Sequence, residues 1–158
     1  MRRKDREIKD FHDIVSVVDR CEIVRLAMVD HGRPYIVALN FGYLAGDGTL
    51  TLYMHSAAEG RKMDILKENP AVCFEMDCSF QITRDEIPCH WSAEHESVIG
   101  SGTIVFITEP TEKKAAMDAI MNHYGFEGVP EYNESTFRHT CLYKLVVDEL
   151  SGKRNLKN

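Results

Sequence analysis

Residues 49–62 constrain the fold of this chain most, because the period of a β-strand changes there directly into the start of a helix. Every second residue of Thr49–His55 is apolar, which is the pattern of a half-buried strand. The following Ser56-Ala57-Ala58-Glu59 fits a capping box, so we expect Ser56 to be the N-cap of a helix. Asn69-Pro70 ends that helix, since proline cannot continue it.

Two adjacent cations, Arg61 and Lys62, fall in the first turns of this predicted helix. A helix N-terminus presents unpaired N–H groups and a partial positive charge, which attract anions. Arginine adds a planar fork and lysine a point charge, so the pair predicts a phosphate site. On these two residues alone a solvated helix face stays open as the alternative. His55 precedes the pair, either as a functional side chain or as a hydrogen-bonded surface histidine.

The remaining pattern predicts a mostly β protein, a six-stranded antiparallel split barrel with about three helices. Hairpin connections and tight glycine turns favour antiparallel pairing. The chain is short enough for one domain, which we place at residues 1–158. The predicted strands are 23–29, 35–43, 49–55, 71–77, 96–108 and 141–148, and the predicted helices are 5–20, 56–68 and 110–125. We expect irregular structure at 79–93, a loop at 126–139 and a polar tail after 148.

Charge and composition exclude several classes of protein. A net charge of −6 without a basic block disfavours nucleic-acid binding, which needs clustered lysine and arginine. The sequence contains no apolar run long enough to span a membrane, and no apolar segment follows its charged N-terminus as a secretory signal requires. Five cysteines, an odd number, favour reduced thiols and a cytoplasmic protein.

Other site patterns fail on their context. Gly100-Ser101-Gly102 looks like part of a dinucleotide fingerprint, but a strand rather than a helix follows it. A nucleophile elbow is absent from the sequence. The candidate metal ligands match no zinc spacing, so we expect no metal; they are Cys78, Cys89, His90 and His95.

Several motifs in order resemble the FMN-binding split-barrel superfamily, whose namesake is pyridoxamine 5′-phosphate oxidase. The resemblance is closest to its 5-nitroimidazole-resistance branch and spans nearly the whole chain. The motifs that carry it are Arg2-Arg3-Lys4-Asp5, Pro34-Tyr35-Ile36-Val37, Leu39-Asn40-Phe41-Gly42-Tyr43, His55-Ser56-Ala57, Glu59-Gly60-Arg61-Lys62, Asn69-Pro70, Trp91, Ser97-Val98-Ile99-Gly100-Ser101-Gly102 and Gly152-Lys153-Arg154.

The resemblance implies an FMN cofactor in a groove at a homodimer interface. It assigns the phosphate to Arg61 and Lys62, and the flavin ring to backbone groups of the strand before the glycine turn, namely Val37, Ala38, Leu39 and Asn40. Met54, His55 and Ser56 would approach the phosphate and the ribityl chain, and Ser97 would place a polar side chain near the cofactor.

The resemblance also implies an oxidoreductase acting on a small molecule. The C-terminal residues 149–154 lack the arginine- and proline-bearing tail of the oxidase, which argues against vitamin B6 oxidation. The closer branch favours reduction of a nitro group to an amine, with His55 as its catalytic residue. Three alternatives stay open: pyridoxamine-phosphate oxidation, flavin binding without turnover, and a barrel that binds haem instead.

A homodimer is also favoured by the apolar strands. Residues 23–29 and 36–41 would leave apolar surface exposed unless a partner covered it. The helix predicted at 110–125 is the alternative cover. Residues 79–93, with Trp91, lie either over the site as a lid or at the interface.

Overall fold

A computed structural model describes residues 3–156 of the chain, so the Arg2 of the first motif lies outside the described part. Within that part the chain forms one antiparallel sheet with helices around it. The strands are β1 Glu7–Ile8, β2 Val24–Asp30, β3 Arg33–Leu39, β4 Gly42–Gly46, β5 Thr49–Ala57, β6 Ala71–Thr83, β7 Ser92–Ile107 and β8 Thr140–Asn155. The helices are α1 Phe11–Arg20, α2 Arg61–Glu68, α3 Pro110–His123 and α4 Glu134–His139, with short 3-10 turns at Lys4–Arg6 and Pro88–His90.

The sheet runs in the order β3-β2-β6-β7-β8-β5-β4, and β1 adds to β8. Each pair is antiparallel. The inner face carries the main core, whose largest fully buried members include Tyr143, Phe41, Phe74 and Leu26. Among residues 3–156 no helix is both long enough and apolar enough to cross a membrane.

Helix α1 is held to the sheet by apolar packing and by a buried carboxylate. Asp10 caps it by accepting hydrogen bonds from two backbone N–H groups of its first turn. Glu96 of β7, only 2% exposed, accepts from Arg20 at the end of α1 and from Arg154 of β8, each at 2.6 Å. Burial alone would raise the pKa of Glu96, but these two hydrogen bonds outweigh it and lower the pKa.

Helix α3 covers β4 and β5 and closes a second, smaller apolar cluster. A Cβ added to Gly42 of β4 would come within 2.4 Å of the Ala119 carbonyl carbon and the Ile120 nitrogen. Only a glycine therefore permits this close helix–strand approach. The end of this helix also reaches the predicted segment 36–41, because the Asn40 side chain and the Phe41 N–H both donate to the Tyr124 hydroxyl.

The fold class is confirmed, while several boundaries differ from the sequence expectations. Eight strands stand where six were predicted, because the segment 35–43 divides into β3 and β4 and because Glu7–Ile8 pairs with β8. Strands β6 and β7 extend into the region expected to be irregular, and β8 continues through the expected polar tail. A short helix, α4, lies in the expected loop. Pairing with a neighbouring strand decides the strand boundaries, and the period of one segment does not show that pairing.

Candidate functional site

The junction between β5 and α2 differs from its prediction at the cap. Ser56 is not an N-cap, because β5 continues to Ala57. The Ser56 hydroxyl donates to the Ala57 carbonyl at 2.9 Å and lies 3.2 Å from Met63 Sδ. The N-cap is Gly60, whose φ of 118° suits glycine, and the helix has no side-chain cap. A capping box requires helical backbone from its second residue, but that residue, Ala57, is extended because it pairs with β8. The first two helical residues are still Arg61 and Lys62.

Arg61 lies against the hairpin of β2 and β3. Its Nε and Nη2 both approach one carboxylate oxygen, Oδ2 of Asp30, at 2.9 and 2.8 Å. Its guanidinium carbon lies 4.4 Å from the centre of the Tyr35 ring, a cation–π distance. The side chain is 59% exposed. Arg61 is therefore oriented by two contacts while part of its fork faces solvent.

Lys62 points the other way, toward β5 and β8. Its ammonium lies 5.7 Å from the centre of the Tyr143 ring. Partial burial lowers the pKa of Lys62, and the same environment together with the Lys62 charge lowers the pKa of His55. The side chain of His55 itself remains exposed. The start of α2 thus contributes one cation to each side of the junction.

A buried hydroxyl lies in the Lys62 region. Tyr143 is fully buried, and among the described residues its hydroxyl has no hydrogen-bond partner. Burial raises the pKa of Tyr143 and keeps it protonated. The Ser56 side chain interacts with this hydroxyl and partly offsets the effect of burial on its pKa, so the hydroxyl belongs to the core.

The segment predicted to lie along a flat ligand, residues 37–40, comprises the end of β3, at the edge of the sheet, and the residue that follows it. β3 has β2 on one side, and no second neighbouring strand is described for it, so its outer backbone groups are available. The side chains of Val37 and Leu39 pack on the core and Ala38 is exposed. Asn40 donates to the Tyr124 hydroxyl at 3.2 Å. Since Tyr35 lies under Arg61, this backbone continues away from the cation pair by roughly 7–16 Å at about 3.3 Å per residue.

Two of the predicted site residues stand apart from the others. Met54 is completely buried, so its side chain is core and only its backbone is near the site. Ser97 lies on the outer face of β7, ten residues before Ile107, whose row crosses Leu142 and His55. That separation is roughly 30 Å along the strand. Ser97 is therefore remote from His55 within one chain.

The outer face of β2, β3, β6 and β7 carries exposed apolar residues. Ile36 of β3 is 60% exposed and Ile99 of β7 is 49% exposed. The register places Ala27 of β2 and Cys73 of β6 on the same face between them. His55 also faces outward. The candidate site therefore opens onto an apolar sheet face.

The main cavities lie elsewhere. The largest, about 960 Å³, is lined by the N-terminal segment, Arg20, Glu96 and Arg154. Its lining mixes both signs of charge, and its arginines already bind the buried Glu96. Arg61, Lys62 and His55 line none of the five best-defined cavities of residues 3–156. In the described part of the chain no three metal-ligating side chains come together.

Comparison with known proteins assigns the family. The family model described as pyridoxamine 5′-phosphate oxidase matches residues 10–154. The chain belongs to this family. Since the match includes β3, the start of α2 and β7, it covers the whole candidate site. No curated protein matches the chain.

Solved structures extend the likeness. A candidate 5-nitroimidazole antibiotic resistance protein from Bacteroides thetaiotaomicron is 32% identical, with a TM-score of 0.81 and coverage of 93% of this chain and 85% of that one. A flavocytochrome from Azotobacter vinelandii has 17% identity and a TM-score of 0.80, covering 99% of this chain and 72% of that one. An FAD- and heme-binding protein from Mycobacterium smegmatis has 17% identity and a TM-score of 0.82, with coverages of 96% and 74%. The last two share the fold of this family.

Sequence reasoning missed three side chains that shape the site: Asp30, Tyr35 and Tyr143. Each of the three lies on a strand, whereas the residue that it contacts, Arg61 or Lys62, lies on helix α2. The hairpin pattern places Asp30 and Tyr35 close to one turn, but only the sheet order brings that turn to α2.

Proposed function

We propose that this protein is an FMN-dependent oxidoreductase that reduces nitroimidazoles or similar small nitroaromatic compounds. One observation carries the proposal: a cation pair at a helix start lies between an open sheet edge and an exposed histidine. The family and the nitroimidazole-resistance neighbour support it. When bound, FMN supplies the hydride or electron transfer. We further propose a cytoplasmic enzyme, in keeping with its free cysteines.

The residues present fit a flavin phosphate. Arg61 offers a fork, Lys62 a point charge, and α2 the unpaired backbone N–H groups of its first turn. The position where a Cβ of Gly60 would stand has no atom within 4 Å, which leaves room for an anion. These donors and the charge suit a dianionic phosphate ester.

A homodimer would complete the site. The outer sheet face, with Ile36 and Ile99, is the surface that we propose for the interface. A two-fold axis perpendicular to the strands would bring the Ser97 end of one protomer toward the Arg61 end of its partner. This arrangement would let Ser97 contact the cofactor although Ser97 is remote from His55 in its own chain.

His55 is our candidate for the catalytic residue. Its imidazole is exposed at the strand end beside Lys62, on the outward face where a substrate can approach. A lowered pKa makes its protonated form a stronger acid than an ordinary histidine. Reduction of a nitro group consumes protons, so His55 would deliver one to the substrate. If the protein bound flavin without turnover, substitution of His55 would change no reaction rate.

A titration with FMN tests the phosphate assignment. We expect Arg61→Ala to weaken FMN binding by about 1.5–3 kcal/mol, the usual size for a hydrogen bond to a charged group. Lys114→Ala is the matched control, since it also removes a helix cation that is paired with a carboxylate, Asp118. Flavin fluorescence gives the dissociation constants. Equal FMN affinity in Arg61→Ala and the wild type would refute the assignment.

A further inference from the structure

We propose that Asp30 is a positioning residue for flavin phosphate, acting through Arg61. This inference rests on the proposed function and adds to it a residue that does not itself touch the cofactor. Asp30 ends β2 directly before the turn at His31 and Gly32, both of which have positive φ. The turn is tight, so the carboxylate has a fixed place at the end of the hairpin.

The contacts divide the guanidinium into a bound edge and a free end. Oδ2 of Asp30 accepts a hydrogen bond from Nε of Arg61 at 2.9 Å and forms an ion pair with Nη2 at 2.8 Å, which uses the inner edge of the fork. Among residues 3–156 no partner of Nη1 is found, and Nη1 together with the outer N–H of Nη2 forms the end that binds phosphate oxygens in pairs. Asp30 thus leaves the productive end of Arg61 open.

Two further contacts restrict this arrangement. The Tyr35 ring lies under the guanidinium, 4.4 Å from its central carbon, and prevents it from tilting toward β3. Nδ1 of His31 lies 2.7 Å from the second oxygen of Asp30, a further contact that orients the carboxylate. A free arginine side chain loses much rotamer entropy when it binds a ligand, and a pre-oriented one loses less.

An electrostatic role and a positioning role of Asp30 predict opposite changes in phosphate affinity when the carboxylate is removed. Removing a negative charge near a phosphate site should strengthen phosphate binding, because a repulsion disappears. If Asp30 orients Arg61, its removal should weaken binding despite the lost repulsion. The sign of the change therefore separates a positioning role from a merely electrostatic one.

The test compares FMN with riboflavin, which lacks the phosphate, on Asp30→Asn. We expect FMN affinity to fall about tenfold, equivalent to about 1.4 kcal/mol, and riboflavin affinity to stay unchanged. Asp64→Asn is the matched control: Asp64 lies in the first turn of α2 and is not among the recorded partners of Arg61. It should leave FMN binding unchanged or slightly tighter. Asp30→Glu should restore part of the loss.

A double-mutant cycle guards against a general folding effect. In the Arg61→Ala background, Asp30→Asn should cause no further loss of FMN affinity, because there is no guanidinium left to orient. Unchanged or tighter FMN binding by Asp30→Asn would overturn the proposal, as would an equal loss for riboflavin or a full additional loss in the Arg61→Ala background. If the wild type binds no FMN at all, the proposed function itself falls and this inference falls with it.

Discussion

At the scale of single residues, the site is made by side chains whose neighbours come from other strands. Arg61 follows Gly60 on a short helix, but Asp30 and Tyr35 of the β2–β3 hairpin determine where its guanidinium points. Lys62 is one residue further along the helix and faces Tyr143 of β8 instead. Two adjacent residues on a helix diverge by about 100° around its axis. Arg61 therefore reaches the β2–β3 hairpin while Lys62 reaches β8.

The pH dependence of turnover tests His55. Because its pKa is lowered by burial and by Lys62, the protonated fraction becomes substantial only below the ordinary range near 6.5. We expect kcat/KM for nitroimidazole reduction to rise as pH falls through that lowered pKa. His55→Asn should lose the rise of kcat/KM at low pH. Its kcat/KM should also be about a hundredfold lower, a usual contribution of general acid catalysis.

The measurement is steady-state reduction with a reduced nicotinamide or a reduced flavodoxin as the electron donor, from pH 5 to 8. The assay is run at saturating FMN, so that a change in cofactor affinity does not enter kcat/KM. Identical pH profiles for His55→Asn and the wild type would show that His55 does not supply the proton.

At the scale of elements, the close approach of α3 to β4 depends on one glycine. A side chain at Gly42 would meet the backbone of Ala119, which cannot move without the whole helix. Gly42→Ala should therefore destabilise the fold by about 1–3 kcal/mol, as overpacking does. Gly46→Ala in the same strand is the control, since its Cβ position meets no atom within 4 Å. Urea denaturation of both variants gives the comparison, and equal stabilities would contradict this account of the packing.

Elements also show how much the sequence could predict. The alternation of Thr49–His55 and the breaker at Asn69-Pro70 depend on local chemistry, so the strand and the end of α2 follow from the sequence. The capping box at Ser56 failed because β8 pairs with β5 up to Ala57, a contact between residues far apart in sequence. The extension of β8 to Asn155 is likewise stabilised by pairing with β7. Local patterns identify the cations of the site, whereas the residues that orient them depend on strand order.

At the scale of the whole molecule, the chain presents an apolar sheet face beside a polar site. We expect Ile99→Lys to weaken dimerisation and FMN binding together, because it would place a charge in the proposed interface. Val129→Lys is the control, since this valine is also exposed, at 82%, but lies in a loop. Sedimentation analysis gives the oligomeric state. A fully dimeric Ile99→Lys variant, or a monomeric wild type that binds FMN normally, would refute this interface.

The central claim is that this chain holds FMN, and the visible absorption spectrum of the purified protein tests it most directly. The protein is saturated with FMN, the excess is removed, and the remaining flavin is quantified against protein. The account predicts a retained flavin spectrum at about one FMN per chain, as expected for tight one-site binding. A protein that retains no flavin, or that shows a haem band instead, would contradict it.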